Sequence, residues 1–347
     1  MKIQFKGQKS PRLLLRAANW VGDAVMMTPA VCSLRRRFPK AEIFVLAKPW
    51  VVPVFEALPY VDRILVYDKA GRHRGMAGFI RLVLDLRTFR FDAAILFQNA
   101  FEAAFIAALS GIPMRIGYST DGRGILLTHR PPLFPRSRKI HQVDYYLGIL
   151  KGVGIPDTCR KLCLSIGDRE TEKARYILDR YGIRRSDTLV GINPGAAYGP
   201  AKQWPSDRFA ALGDRIQEAF GTKILIFGGS ADRSLGVRIR QSMRYPAVNL
   251  AGKTDLSEAM ALIRECRLFI TNDSGLMHVA SALKVPLVAI FGSTDPEATG
   301  PWGYRGRILE SKISCSPCLE PECPLGHLQC MTRITTDAVF EAAKALL

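Results

Sequence analysis

Residues 271–296 read TNDSGLMHVASALKVPLVAIFGSTDP, and the alternation inside this run decides the fold class. The residues at 268–271 form an apolar strand that ends in a small polar turn, Asn272, Asp273, Ser274 and Gly275. The turn opens a helix carrying His278. After Lys284 a second apolar strand, 286–291, runs into another polar loop at 292–296. Strand, turn, helix and strand in this order make one unit of an α/β layer. A helix N-terminus gathers unpaired N–H groups and partial positive charge, so it favours a phosphate. Gly275 permits close backbone approach, and Ser274 adds a hydroxyl. Asp and Ser also start helices that bind nothing, so the turn alone fits a plain capped helix equally well.

The same alternation runs outward in both directions. In the first half, 12–16, 43–47, 63–67 and 93–97 read as strands, and 24–37, 76–86, 102–109 and 141–151 as helices. The polar stretch 119–139 has no clear period and reads as a surface loop. The second half restarts the pattern with strands at 189–193 and 223–227. The sequence thus predicts two α/β domains, 1–166 and 188–333, with a charged linker helix in 167–187. A C-terminal helix in 334–347 is a candidate to cross back to the first domain. At 347 residues the chain is long enough for two cores of ordinary size. No apolar run approaches the roughly 18 residues of a spanning helix, and the first 20 residues lack a signal-peptide core. A cytoplasmic location is expected.

The net charge of +18 is unevenly placed. Residues 1–165 hold 26 Lys/Arg against 11 Asp/Glu, whereas 166–347 hold 23 against 20. The excess predicts an anionic partner for the first half, with Arg72, Arg74, Arg81, Arg87 and Arg90 as candidate contacts. No nucleic-acid-binding motif is present, so nucleic acid is not expected. A phosphorylated lipid at a membrane surface suits the charge, as does a merely basic surface.

Three further segments join 271–296: ANWVGDAVMMTPAV at 18–31, NPGAAYGPAKQWP at 193–205 and CSPCLEPECPLGHLQC at 315–330. Together, and in this order, they resemble the ADP-heptose:lipopolysaccharide heptosyltransferases of glycosyltransferase family 9. The GPAK-W-P core and the cysteine-rich segment are most similar to the heptosyltransferase II branch. The resemblance covers nearly the whole chain. It implies the GT-B architecture, two Rossmann-like α/β domains facing a cleft, and an inverting transfer of L-glycero-D-manno-heptose from ADP-heptose to the heptose of the inner core. The acceptor it implies, lipid A with its inner-core oligosaccharide, is phosphorylated and sits at the inner face of the cytoplasmic membrane. A monomer is expected.

Each site residue has a plain reading beside a chemical one. Asp23, after Gly22, suits the N-cap of the helix 24–37. By resemblance it is the catalytic base, taking the acceptor hydroxyl proton as that oxygen attacks. Lys202, in the loop after the strand 189–193, is a natural clamp for a diphosphate leaving group, while most lysines are simply solvated. Gly195, Ala196 and Gly199 make that loop compact, with N–H groups expected to face the ligand. Gly228 and Asp232, after the strand 223–227, suit a ribose contact, although Asp232 also suits a helix cap. Asp273, Ser274 and Gly275 are expected to hold phosphate, and His278 to support them or touch the sugar.

Cys315, Cys318, Cys323 and Cys330 combine a C-x2-C pair with spacings unlike a standard zinc ribbon, so packed thiols are expected ahead of a structural metal. Cys32, Cys159, Cys163 and Cys266 read as ordinary small buried residues. No cofactor is expected, because Lys202 and helix-end N–H groups can stabilise the diphosphate without a metal. A nicotinamide-dependent oxidoreductase would share the α/β pattern, but G-x-G-x-x-G is missing. Two alternatives remain: a related transferase of the same family with another nucleotide sugar or a different core acceptor, which is the nearest, and a non-catalytic anion-binding protein.

Overall fold

Each half of the chain builds a parallel sheet of its own. The computed structural model describes residues 10–133 and 140–347, and the chain divides into units Met1–Leu164 and Ser165–Leu347. The end of the expected loop 119–139, residues 134–139, lies outside the described residues. Its earlier part holds a short 3-10 helix, Arg123–Leu126, and a bridge from His129 to Ile116.

In the first unit the strands are β1 (Arg12–Arg16), β2 (Glu42–Ala47), β3 (Arg63–Val66), β4 (Ala93–Leu96) and β5 (Met114–Ile116). They lie in the order β3-β2-β1-β4-β5, all parallel, with Leu14 paired to both Phe44 and Ala94. Strands covered on both faces are unbroken apolar runs, as in the wholly buried AAIL of β4. Around them pack α1 (Val21–Met26), α2 (Thr28–Arg37), α3 (Pro53–Glu56), α4 (Gly75–Thr88), α5 (Phe101–Leu109) and α6 (Gln142–Lys151). The single helix expected over 24–37 is in fact two. Pro29 has no N–H for the carbonyl of Val25, and the Thr28 hydroxyl takes that carbonyl instead at 2.7 Å. Asp23 therefore lies in the first turn of a short separate helix whose N-cap is Trp20.

The second unit holds β6 (Leu189–Asn193), β7 (Lys223–Ile226), β8 (Ala247–Asn249), β9 (Leu268–Asn272), β10 (Leu287–Phe291) and β11 (Gly306–Glu310). Its parallel order is β11-β10-β9-β6-β7-β8. The helices are α7 (Asp168–Arg180), α8 (Ser206–Phe220), α9 (Arg233–Ser242), α10 (Leu256–Glu265), α11 (Gly275–Ala282), α12 (Pro296–Thr299), α13 (Gln329–Thr332) and α14 (Thr336–Lys344). The expected linker helix, α7, packs on α10 with Ala174 and Leu178 buried. The C-terminal helix α14 packs on α8 and β10 within the second unit, with the Arg215 guanidinium 4.0 Å from the Phe340 ring centre. Trp204, Phe209 and Ile216 anchor this unit's core.

Both sheets are doubly wound. The order of winding reverses between β1 and β4 in the first and between β6 and β9 in the second, with all strands still parallel. Loops leaving the carboxyl ends of strands part at such a point and leave a crevice, which is where ligands bind in open α/β sheets. The segments 18–31 and 193–205 leave β1 and β6, and the turn 272–275 leaves β9. Among the described residues no helix is long and apolar enough to cross a membrane.

Candidate functional site

At the switch point of the second sheet the loops after β6 and β9 are tied to each other. The Asn193 amide donates to Thr271 Oγ1 at 3.1 Å and to Ser274 Oγ at 2.8 Å. Asn272 accepts from the Trp204 N–H at 3.2 Å and donates to the Pro194 carbonyl at 2.7 Å. Lys202 Nζ donates to Asp273 Oδ2 at 2.6 Å, with only 13% and 5% of the two side chains exposed. It also stands 4.8 Å from the Tyr198 ring centre. This is no solvated lysine: it is a desolvated cation held at the end of β9. Thr294, from the loop after β10, donates to the same Asp273 oxygen at 2.6 Å. Ser274 caps α11 through the Met277 N–H, and Gly275 begins that helix. His278 lies one turn in, 3% exposed, within the packed body of α11.

The loop around Lys202 uses its glycines for close approach. A Cβ on Gly199 would stand 2.2 Å from the Pro321 carbonyl oxygen, and one on Gly195 would meet the Asp232 carboxyl at 2.4 Å. The N–H groups of Gly199, Ala201, Lys202 and Gln203, expected to face a ligand, are instead bonded to Ala196, Pro321, Gly199 and Pro200 carbonyls. The short 3-10 turn Pro200–Lys202 takes up those of Lys202 and Gln203. Ala196 is buried beside this loop. Asp232 accepts the Gly229 N–H at 2.9 Å and lies against both Gly195 and Gly228, so it closes its own turn while bordering the Lys202 loop.

At the first sheet's switch point Asp23 Oδ1 accepts from the Tyr146 hydroxyl at 2.8 Å. Asp23 does not cap its helix, which has no side-chain cap. Gly22 is buried beside it. Tyr146, on α6, packs edge-on against Phe97 at 5.8 Å. Burial and then the neighbouring Asp23 charge push its phenol well above the ordinary range, so it stays a donor. The sequence reading missed Tyr146; a tyrosine in the buried stripe of a helix, needing a partner for its hydroxyl, was the only signal.

Beyond Asp23 the same strand ends carry a buried cationic cluster. Arg16 ends β1 and bonds the Ala17 carbonyl at 2.7 Å and the Asn19 side chain at 3.0 Å. Lys48 follows β2 and stands 3.6 Å from the Tyr67 ring centre. Burial first, then Arg16, lowers the Lys48 ammonium to about 8, and burial lowers Arg16 to about 10. For Glu102 burial raises the carboxyl, but hydrogen bonds from Lys69 and Tyr67 outweigh it and leave the group below its usual range. Trp20 and Trp50 are exposed on the adjoining loops, with the Trp50 indole N–H donating to the Asn19 carbonyl at 2.7 Å.

The cysteines differ from expectation at one pair and at Cys163, which is half-buried rather than buried. Cys32 and Cys159 form a disulfide, with Cα atoms 5.9 Å apart, that joins α2 to the segment after α6. Their separation of 127 residues gave no sequence signal. Cys315, Cys318, Cys323 and Cys330 are free thiols lining one small cavity with Ala201, Ser293 and His327. Backbone N–H groups of residues 325–328 lower the Cys323 thiol. Among the described residues no group of three or more His, Cys, Asp and Glu side chains is placed to hold a metal.

Similarity to known proteins follows the same lines. The chain is 30% identical over 345 residues to lipopolysaccharide heptosyltransferase 2 of Escherichia coli K12, covering 97% of this chain and 98% of that protein. Lipooligosaccharide heptosyltransferase 2 of Haemophilus ducreyi is 30% identical over 360 residues, covering 97% and 99%. Among solved structures, a family 9 glycosyl transferase from Veillonella parvula superposes with a TM-score of 0.86 at 27% identity, covering 97% of both chains. The Escherichia coli ADP-heptose lps heptosyltransferase II superposes with a TM-score of 0.82 at 30% identity, covering 96% of this chain and 98% of that one. Paired α/β units of this kind make up the GT-B architecture. The model of glycosyltransferase family 9 (heptosyltransferase) matches residues 79–329, and the chain belongs to that family.

Proposed function

We propose that this protein transfers L-glycero-D-manno-heptose from ADP-heptose to the heptose of the lipopolysaccharide inner core, with inversion at the anomeric carbon. The observation that carries the reading is the Lys202–Asp273–Thr294 cluster at the end of β9, beside the first turn of α11. A desolvated lysine next to a helix N-terminus is suited to a diphosphate leaving group. Relatives named heptosyltransferase 2, aligned over nearly the whole chain, supply the sugar and the acceptor. The second unit would hold ADP through Gly195, Ala196, Gly228, Ser274 and Gly275, with Asp232 towards the ribose and His278 supporting α11 from within.

The first unit would supply the base. Asp23 takes the proton of the acceptor hydroxyl, and that oxygen forms the new bond to the anomeric carbon as the bond to the diphosphate breaks. ADP departs with the electron pair, and Lys202 offsets its growing charge. The Tyr146 hydroxyl fixes the orientation of the carboxylate. The reaction would take place in the cytoplasm at the inner membrane face, where the acceptor is anchored, with the protein acting as a monomer.

Calorimetric titration of ADP, UDP and NAD, followed by a transfer assay with ADP-heptose, tests this reading. ADP should bind at least about tenfold more tightly than UDP or NAD, a difference of about 1.4 kcal/mol. Equal affinity for UDP refutes the donor assignment. NAD binding in preference to ADP would favour an oxidoreductase.

A further inference from the structure

Helices α4 and α5 turn apolar side chains outward. Along α4, Met76, Ile80 and Leu84 recur every four residues and are 75%, 50% and 53% exposed. Along α5, Phe101, Phe105 and Leu109 repeat that spacing at 42%, 37% and 37%. Residues four apart share one face of a helix, so each set is a continuous stripe. The stripes are joined: Phe79 of α4 stacks on Phe105 at 5.7 Å, Phe105 stacks on Phe101 at 5.9 Å, and Arg87 Nε bonds the Leu109 carbonyl at 2.9 Å. A neighbouring face of α4 is spent on the core through Leu82, Val83 and Leu86. The exposed parts of the two stripes lie outside the core and together form one apolar surface, and such a surface marks an interaction site.

Its rim is cationic. Arg72, Arg74, Arg81, Arg87 and Arg90 all lie exposed on α4 or at its ends. The one acid on each helix is already engaged, Asp85 with Arg72 at 2.7 Å and Glu102 with Lys69 at 2.8 Å. A second copy of the chain would bring a like-charged rim against this one, which opposes self-association. An anionic bilayer answers both features. A helix lying in the interface plane sinks its apolar face to the acyl boundary while arginines meet the headgroups.

We propose that the α4–α5 face is the surface by which this protein docks on an anionic lipid bilayer, with Met76, Ile80 and Leu84 inserted and the arginines on the headgroups. The choice of a bilayer rests on the proposed membrane-anchored acceptor.

Flotation with vesicles of phosphatidylcholine alone, and of phosphatidylcholine with phosphatidylglycerol, tests it without any acceptor. The wild-type protein should bind the anionic vesicles at least about tenfold better than the neutral ones and lose that preference in high salt. The triple variant Met76→Ser, Ile80→Ser, Leu84→Ser should lose at least about tenfold in vesicle binding. Arg81→Glu with Arg87→Glu should do the same. Both variants should keep ADP affinity, which reports an intact second unit, and the wild-type circular dichroism spectrum. Wild-type vesicle binding by either variant overturns the proposal, as does a dimer in sedimentation that the triple variant dissolves. Absent vesicle binding with heptose transfer to a delipidated acceptor sinks the docking surface and leaves the function standing. Vesicle binding without heptose transfer supports the surface and refutes the functional reading.

Discussion

Asp23 shows how a residue can be singled out in the sequence while its surroundings are not. Its type and its neighbour Gly22 singled it out, but the cap expected of it belongs to Trp20, which makes no side-chain cap. The Tyr146 partner lies 123 residues away, beyond any local pattern. Asp23→Asn keeps an oxygen for the Tyr146 hydroxyl and gives up only the charge near a helix start, at about 0.3–1 kcal/mol. Heptose transfer should fall by roughly two to four powers of ten while thermal unfolding and ADP affinity stay near wild type. A variant that keeps most of its transfer rate removes Asp23 from the chemistry.

Lys48 yields a prediction with a sign. Its folded value, about 8, lies below the ordinary 10.5 of a lysine, so the unfolded chain binds more protons between those limits. Stability should therefore rise with pH across that window, and the burial cost is present in full below about 8. Replacing the buried cation in Lys48→Met should stabilise the fold by about 1 kcal/mol at neutral pH and flatten this rise. Urea unfolding at several pH values measures both, and an unchanged slope would mean that the ammonium is solvated.

At the scale of elements the central strands were the legible part, whereas β5, β8 and β11, at the outer positions of their sheets, were not read from the sequence. Parallel strands buried on both faces are short apolar runs bounded by Gly, Asn and Asp, so their positions survive without knowledge of the fold. The break between α1 and α2 was not anticipated, although Pro29 announces it, because the apolar period continues through Met26 and Met27. The expectation that the 195–203 backbone would face a ligand missed a non-local partner, the Pro321 carbonyl that receives the Ala201 N–H at 2.9 Å. That contact explains Gly199 physically. Gly199→Ala must move one of two backbones apart, at about 1–3 kcal/mol, and should displace Lys202 with it. Loss of ADP affinity together with a lower melting temperature is the expected pair of results. An alanine variant with wild-type values for both would show that the loop has room to give.

Across the whole molecule, the division into two α/β units was readable because a charged helical segment at 167–187 precedes a fresh run of strands that starts at Leu189. How α7 and α14 pack was not, since an amphipathic helix declares that it has a partner without naming it. The uneven charge was plain in the sequence, yet its pairing with an apolar surface on α4 and α5 needed coordinates. A stripe of Met, Ile and Leu reads as core until its exposure is seen.

The bonds from Asn193 to Thr271 and Ser274 have a bearing on how the second unit matures. They join residues 78 and 81 positions apart, contributed by two crossover halves that each fold around their own strands. Contacts so distant in sequence form late, after loop-closure entropy has been overcome. Under the proposed function, a nucleotide held by both loops would find no partial foothold on a half-assembled sheet and would recognise only the finished domain. Its binding energy then adds to the cooperativity of that domain as a whole. The ligand would act as a proofreader of folding, holding back the unravelling of complete copies and offering nothing to those whose halves have not met.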